Sequence, residues 1–199
     1  GDPCNSCHMP GERVAVAEGS PERDAVGHHG FLGRQGDLRK RAVRARLEVR
    51  ADGGVLLALV TLKNEGAGHA VPTGHPGRRL ELVVTVLAPD GGEVSRGEIV
   101  VGRRLVDARG EEAPFFRAAG VERDNRLFPD EARTEALVLA APERGRVRAE
   151  LSWRGLSPAL ASALGVDNPP VPLMGATVTF GPSRGPRARA GLPASVELR

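Results

Sequence analysis

A chain of 199 residues and 21.0 kDa, 40% hydrophobic and 27% charged, is long enough for one sizeable core, and no stretch approaches the ~20 apolar residues of a bilayer-spanning helix. The net charge is only +3 and comes almost entirely from arginines interspersed with Asp and Glu, Lys40 and Lys63 being the two lysines. With no Tyr, one Trp and five Phe, the chain lacks the concentrated charge and stacking aromatics of a nucleic-acid binder.

The start at Gly1, without an initiator Met or a signal-peptide pattern, implies processing or an upstream region. Residues 1–40 hold both cysteines and three of the five histidines, with glycines, prolines and little apolar periodicity. Such a segment cannot build a core and calls for a covalent or metal-bound centre to organise it. Two cysteines three residues apart are too few for a disulfide framework, so their role is local.

The informative word is Cys4-Asn5-Ser6-Cys7-His8. In a C-x-x-C-H sequence two thiols can form thioethers to the haem vinyl groups while the adjacent imidazole binds the iron. Two other chemistries use the same residues. Zinc could take Cys4 and Cys7 with two of His8, His28 and His29, although the spacing would be unusual. A dithiol redox pair could use the cysteines alone, but the thioredoxin-like βαβ context is missing.

From residue 43 the pattern changes. Val43, Ala45, Leu47 and Val49 alternate with charged residues, the signature of a half-buried strand. Asp52, Gly53 and Gly54 turn the chain into Val55–Leu62, an apolar run that reads as a central strand. Leu80, Leu82, Val84 and Val86 repeat the alternation, residues 89–92 make a turn, and a further β-rich run covers Ile99–Val106. Thr134–Leu139 and Val147–Trp153 follow, with Ala149, Leu151 and Trp153 on one face. A brief helix is expected between Leu156 and Leu164, and closing strands at Ala176–Phe180 and Ser195–Leu198. Short strands separated by turn residues predict a mainly β fold: an irregular segment, 1–40, packed on an antiparallel immunoglobulin-like sandwich, 41–199.

The chain also resembles the multihaem c-type cytochromes related to cytochrome c554, in the portion where a late haem motif precedes a β-rich domain. The resemblance lies in CNSCHMP at 4–10, HHGFLG at 28–33, NEGAGHAVPTG at 64–74 with Arg78 and Arg79 beyond, and DNRLFPDE at 124–131. It implies covalent haem c and electron transfer outside the cytoplasm, in the periplasm or extracellular space. The departure is a single C-x-x-C-H, which points to a one-haem chain that assembles with other haem proteins or identical subunits, or to a further haem region before Gly1.

A six-coordinate iron takes a second axial ligand. His29 is the first expectation: it falls on the histidine of the family's His-x-Phe-x-Gly word, and residues 9–28 are enough to fold back across a haem. His28 beside it would point elsewhere and could reach the iron of a neighbouring subunit. His69 is the alternative distal ligand, in a Gly-rich loop that permits close approach to a planar group. His75 is similar but less favoured, Met9 is a packing residue, and Met174 could serve only if the C-terminal segment folded over the haem. Asp124, Asp130 and Glu131 read as a solvated acidic loop rather than a calcium site.

The expectation is an electron carrier rather than an enzyme, with Cys4 and Cys7 as anchors and His8 as proximal ligand. A haem enzyme with an open distal site, and a structural or adhesive β-module stapled by haem or zinc, are the rival readings.

Overall fold

The computed structural model describes residues 4–27, 36–181 and 194–199. Its N-terminal part is a single helical turn, α1 (Cys4–His8), followed by a hairpin of β1 (Gly11–Ala15) and β2 (Glu22–Gly27). A short helix, α2 (Gly36–Ala42), crosses the composition shift near residue 40 and runs directly into β3 (Val43–Asp52). The expectation of an irregular segment is corrected here: backbone pairing orders residues 11–27 without an apolar stripe. The hairpin escaped the sequence because strand periodicity is legible only where one face is buried, and in this hairpin five of five β1 residues and four of six in β2 are exposed.

The alternating segments form the expected strands. β3 and β4 (Val55–Asn64) are antiparallel, with Leu47 opposite Val60 and Ala45 opposite Leu62. Gly53 and Gly54 both have positive φ, 56° and 84°, as a two-residue hairpin turn with the right-handed strand twist requires. β4 is central: its other neighbour is β8 (Ala132–Ala140), and β11 (Ala194–Glu197) completes a four-stranded sheet in the order β11-β3-β4-β8.

The second sheet has the order β10-β9-β5-β6-β7, built from β5 (Arg79–Leu87), β6 (Glu93–Val106), β7 (Gly120–Asp124), β9 (Gly145–Arg154) and β10 (Val171–Phe180). β7 was not anticipated, because it is a short edge strand with every residue exposed. The expected brief helix is α3 (Pro158–Leu164), capped at its start by the Ser157 side chain and at its end by Gly165 in the left-handed conformation.

The core lies between the sheets. Leu47, Leu56, Val60 and Leu62 from one sheet and Leu80, Leu82, Val84, Val147 and Leu151 from the other are almost completely buried in one cluster. Across the second sheet Leu82 faces Leu151 and Val84 faces Ala149, so the inward parity is shared by neighbouring strands. The mainly β, antiparallel architecture matches the expectation. No described helix is long and apolar enough to cross a membrane.

Candidate metal centre

The site begins with the inward parity of β4. Positions 56, 58, 60, 62 and 64 point into the core, and the last of them is Asn64, with no exposed surface. A buried carboxamide must find partners, and this one does. Its Nδ2 donates to the carbonyl oxygens of His69 (2.8 Å) and Leu127 (3.2 Å), and its Oδ1 accepts from the Ala67 N–H (3.2 Å).

The 65–70 loop therefore folds back over the end of β4. Gly66 lies directly against the Arg41 carbonyl, where a Cβ could not fit, and the N–H groups of Glu65 and Gly66 both reach the Ala42 carbonyl (3.2 and 3.3 Å). Beyond the loop, Val71 and Leu127 exchange two backbone hydrogen bonds of 2.8 and 2.9 Å. Leu127 is fully buried.

This arrangement presents the His69 ring at the surface. Its Nδ1 lies 3.1 Å from the Ala70 carbonyl oxygen. A carbonyl can only accept, so this contact assigns the proton to Nδ1 and leaves the Nε2 lone pair available to a metal. His75 has the opposite tautomer: its Nδ1 accepts from the Gly77 N–H (3.1 Å), so the neutral ring carries its proton on Nε2. The edge of Phe115 packs on His75, with ring centroids 5.3 Å apart.

Facing His69 is His8. The ring centroids are 6.0 Å apart and the planes differ by 21°. That separation is within the range of an offset aromatic pair. It is equally the separation, on the order of 6 Å, of two imidazoles bound through Nε2 at about 2 Å on opposite sides of one metal ion. His8 ends α1, and Cys4 and Cys7 on the same turn are free, exposed thiols. Positions i and i+3 of a helical turn share a face, so both thiols lie on one side of α1. The donor set thus fits a haem c: two accessible thiols, one imidazole beside them, and a second imidazole opposite with its lone pair available.

His29 and His28 lie outside the described residues. Met9 packs near Gly27, and Met174 on β10 is partly buried against the core. Among the described residues no group of three or more His, Cys, Asp and Glu side chains is arranged to hold a metal ion. A tetrahedral zinc site would therefore have to recruit His28 or His29.

In the 124–131 segment Asp124 and Asp130 are exposed, as expected of a solvated acidic loop, and Asp124 and Glu131 are in addition ion-paired in a latch. Asp124 accepts from Arg103 (3.0 and 2.9 Å) and Arg126 (2.8 and 2.8 Å), and these guanidinium hydrogen bonds, Arg126 foremost, hold its carboxyl far below the usual carboxylate range. Asn125 ties the segment to β6 through the Gly102 N–H and the Val100 carbonyl, both at 2.8 Å. Glu131 is held below its ordinary value by the Phe128 N–H and by Arg133. The latch carries Leu127 to Val71 and Asn64, and so to the His69 loop.

Sequence reasoning missed Asn64, Asn125 and Leu127 as supports of His69. A signal existed for Asn64: it is a polar residue on the inward parity of an apolar strand, directly before a Gly-rich loop.

The fold resembles part of a penta-haem cytochrome c552. That protein, from Thermochromatium tepidum, superposes with a TM-score of 0.70 and 25% sequence identity, over 90% of this chain and 47% of its own. The chain thus spans about half the length of that relative. No family model and no curated protein matches the sequence.

Proposed function

We propose that this chain is a c-type cytochrome unit with one covalently attached haem, passing electrons outside the cytoplasm. The observation that carries the reading is the opposition of His8 and His69 at 6.0 Å beside two free, exposed thiols on the same helical turn as His8. Similarity to a structure described as a penta-haem cytochrome c552 supports it independently.

Cys4 and Cys7 would anchor the haem through thioethers, and His8 and His69 would hold its iron. When bound, the haem supplies a one-electron iron couple whose potential is set by ligands, burial and neighbouring hydrogen bonds. His69 is preferred to His29 as the second ligand because its ring faces His8 with the correct nitrogen unprotonated. The Ala70 carbonyl, accepting from Nδ1, holds that tautomer and orients the ring. Two imidazoles from this chain leave no axial position for a substrate, which favours a carrier over an enzyme. His28 or His29 is then available to an iron in a neighbouring subunit, which makes other haem proteins or identical subunits the partners.

A pyridine haemochrome assay with intact mass on the purified chain tests the reading. One haem per chain, added covalently, is expected; a colourless protein with the mass of bare polypeptide would overturn it.

A further inference from the structure

We propose that Asn64 is the positioning residue for the His69 imidazole, acting through the backbone of the ligand loop rather than by touching the metal. The inference rests on the haem reading above and concerns how the second axial ligand is delivered.

Three observations carry it. First, the Asn64 carboxamide is fully buried and makes three hydrogen bonds: its Oδ1 accepts from the Ala67 N–H, and its Nδ2 donates to the carbonyls of His69 and Leu127. Second, those partners belong to two different segments, so a single side chain joins the end of β4, the His69 loop and the 124–131 latch. Third, the bond to the loop ends on the carbonyl of His69 itself. The next carbonyl, that of Ala70, receives the ring Nδ1, and the next residue, Val71, is locked to Leu127. The His69 carbonyl, the Ala70 carbonyl and the Val71 backbone are thus each held in consecutive residues, in a loop whose Gly66 and Gly68 would otherwise leave it conformationally free.

The chemistry requires an amide at this position. Aspartate could accept from Ala67 but would set a carboxylate against two carbonyl oxygens. Alanine would leave the Ala67 N–H and the His69 carbonyl without their buried partner, while the Leu127 carbonyl keeps the Val71 N–H. In either variant the tether on His69 is released while Cys4, Cys7 and His8 are untouched, so haem attachment and ligation by His69 are separable.

The test uses the haem-loaded full chain as wild type, Asn64→Ala, Asn64→Asp and, as a control for general destabilisation, Leu82→Ala in the core far from the loop's hydrogen bonds. Intact mass reports attachment; the ferric spin state and carbon monoxide binding to the reduced protein report axial ligation. Both Asn64 variants are expected to keep the haem mass, lose most of the low-spin signal, bind carbon monoxide, and regain the low-spin spectrum when free imidazole is added. Leu82→Ala is expected to unfold at lower denaturant yet stay low-spin and unreactive to carbon monoxide. If one Asn64 variant does not fold, the other is read alone. If neither folds, wild type and Leu82→Ala are compared as denaturant is raised. Loss of His69 ligation before global unfolding in wild type, and at the same denaturant in Leu82→Ala, supports a local tether; simultaneous loss overturns it. Low-spin, unreactive Asn64 variants would overturn the proposal while leaving the haem reading intact, as would a Leu82→Ala protein that loses low-spin character equally. Absence of haem from the wild type would overturn the haem reading itself.

Discussion

The two imidazoles that face each other at 6.0 Å stand on very different foundations. His69 projects from a loop bound to a sandwich whose inner faces are buried almost completely, and hydrogen bonds from Asn64, Ala42 and Leu127 hold the loop. His8 ends a single helical turn with no buried residue, followed by a two-stranded hairpin that is almost wholly exposed. A lone hairpin is marginal in water, and the ion pairs of Arg13 with Glu22 and Asp24 are too exposed to add much. On the haem reading proposed above the labour is divided: the sandwich folds by burying its own surface and would present one ligand, while the N-terminal part would gain order from the group its thiols anchor.

The comparison predicts a series of unequal effects. Replacing Cys4 and Cys7 together by Ala removes all covalent haem, measured by intact mass, and disorders residues 4–27 while amide exchange in β3, β4, β5 and β9 stays protected. Equal loss of protection in both regions would abolish the distinction. His69→Ala leaves the haem attached but converts low-spin iron to a centre that binds carbon monoxide, whereas His75→Ala, with its proton on the other nitrogen, leaves the spectrum unchanged.

Leu127→Ala is smaller and belongs to the sandwich side. Truncating this fully buried side chain costs about 2–5 kcal/mol, read from the urea midpoint, and loosens the latch that holds Val71. The smallest expected effect is Asp124→Asn, about 1 kcal/mol for partly exposed ion pairs with Arg103 and Arg126. Because the folded-state pKa of Asp124 is depressed, its contribution is fully present above the unfolded value of about 3.9 and is lost as pH falls toward the folded one. The wild-type advantage over Asp124→Asn should therefore be constant near neutrality and close only below about pH 4.

Much of the sandwich was legible because burial writes period two into a strand: Val43 to Val49 and Leu80 to Val86 alternate, and both lie where that pattern puts them. The β1–β2 hairpin and β7 were not, since exposed pairing imposes no apolar code. At the site, the C-x-x-C-H word announced the thiols and His8 within five residues. His29 lies outside the described residues, and the proposed preference for His69 rests on contacts distant in sequence, the 63-residue separation of Asn64 and Leu127 among them, which no local pattern expresses. The ion pairing within 124–131 was hidden for the same reason: Arg103, a partner of Asp124, comes from β6.

The most direct test of the account is the spin state of the iron in the haem-loaded chain, compared among wild type, His69→Ala and His29→Ala. The account predicts a low-spin, bis-imidazole spectrum in wild type and in His29→Ala, lost in His69→Ala. A spectrum that survives His69→Ala but is lost in His29→Ala would contradict it.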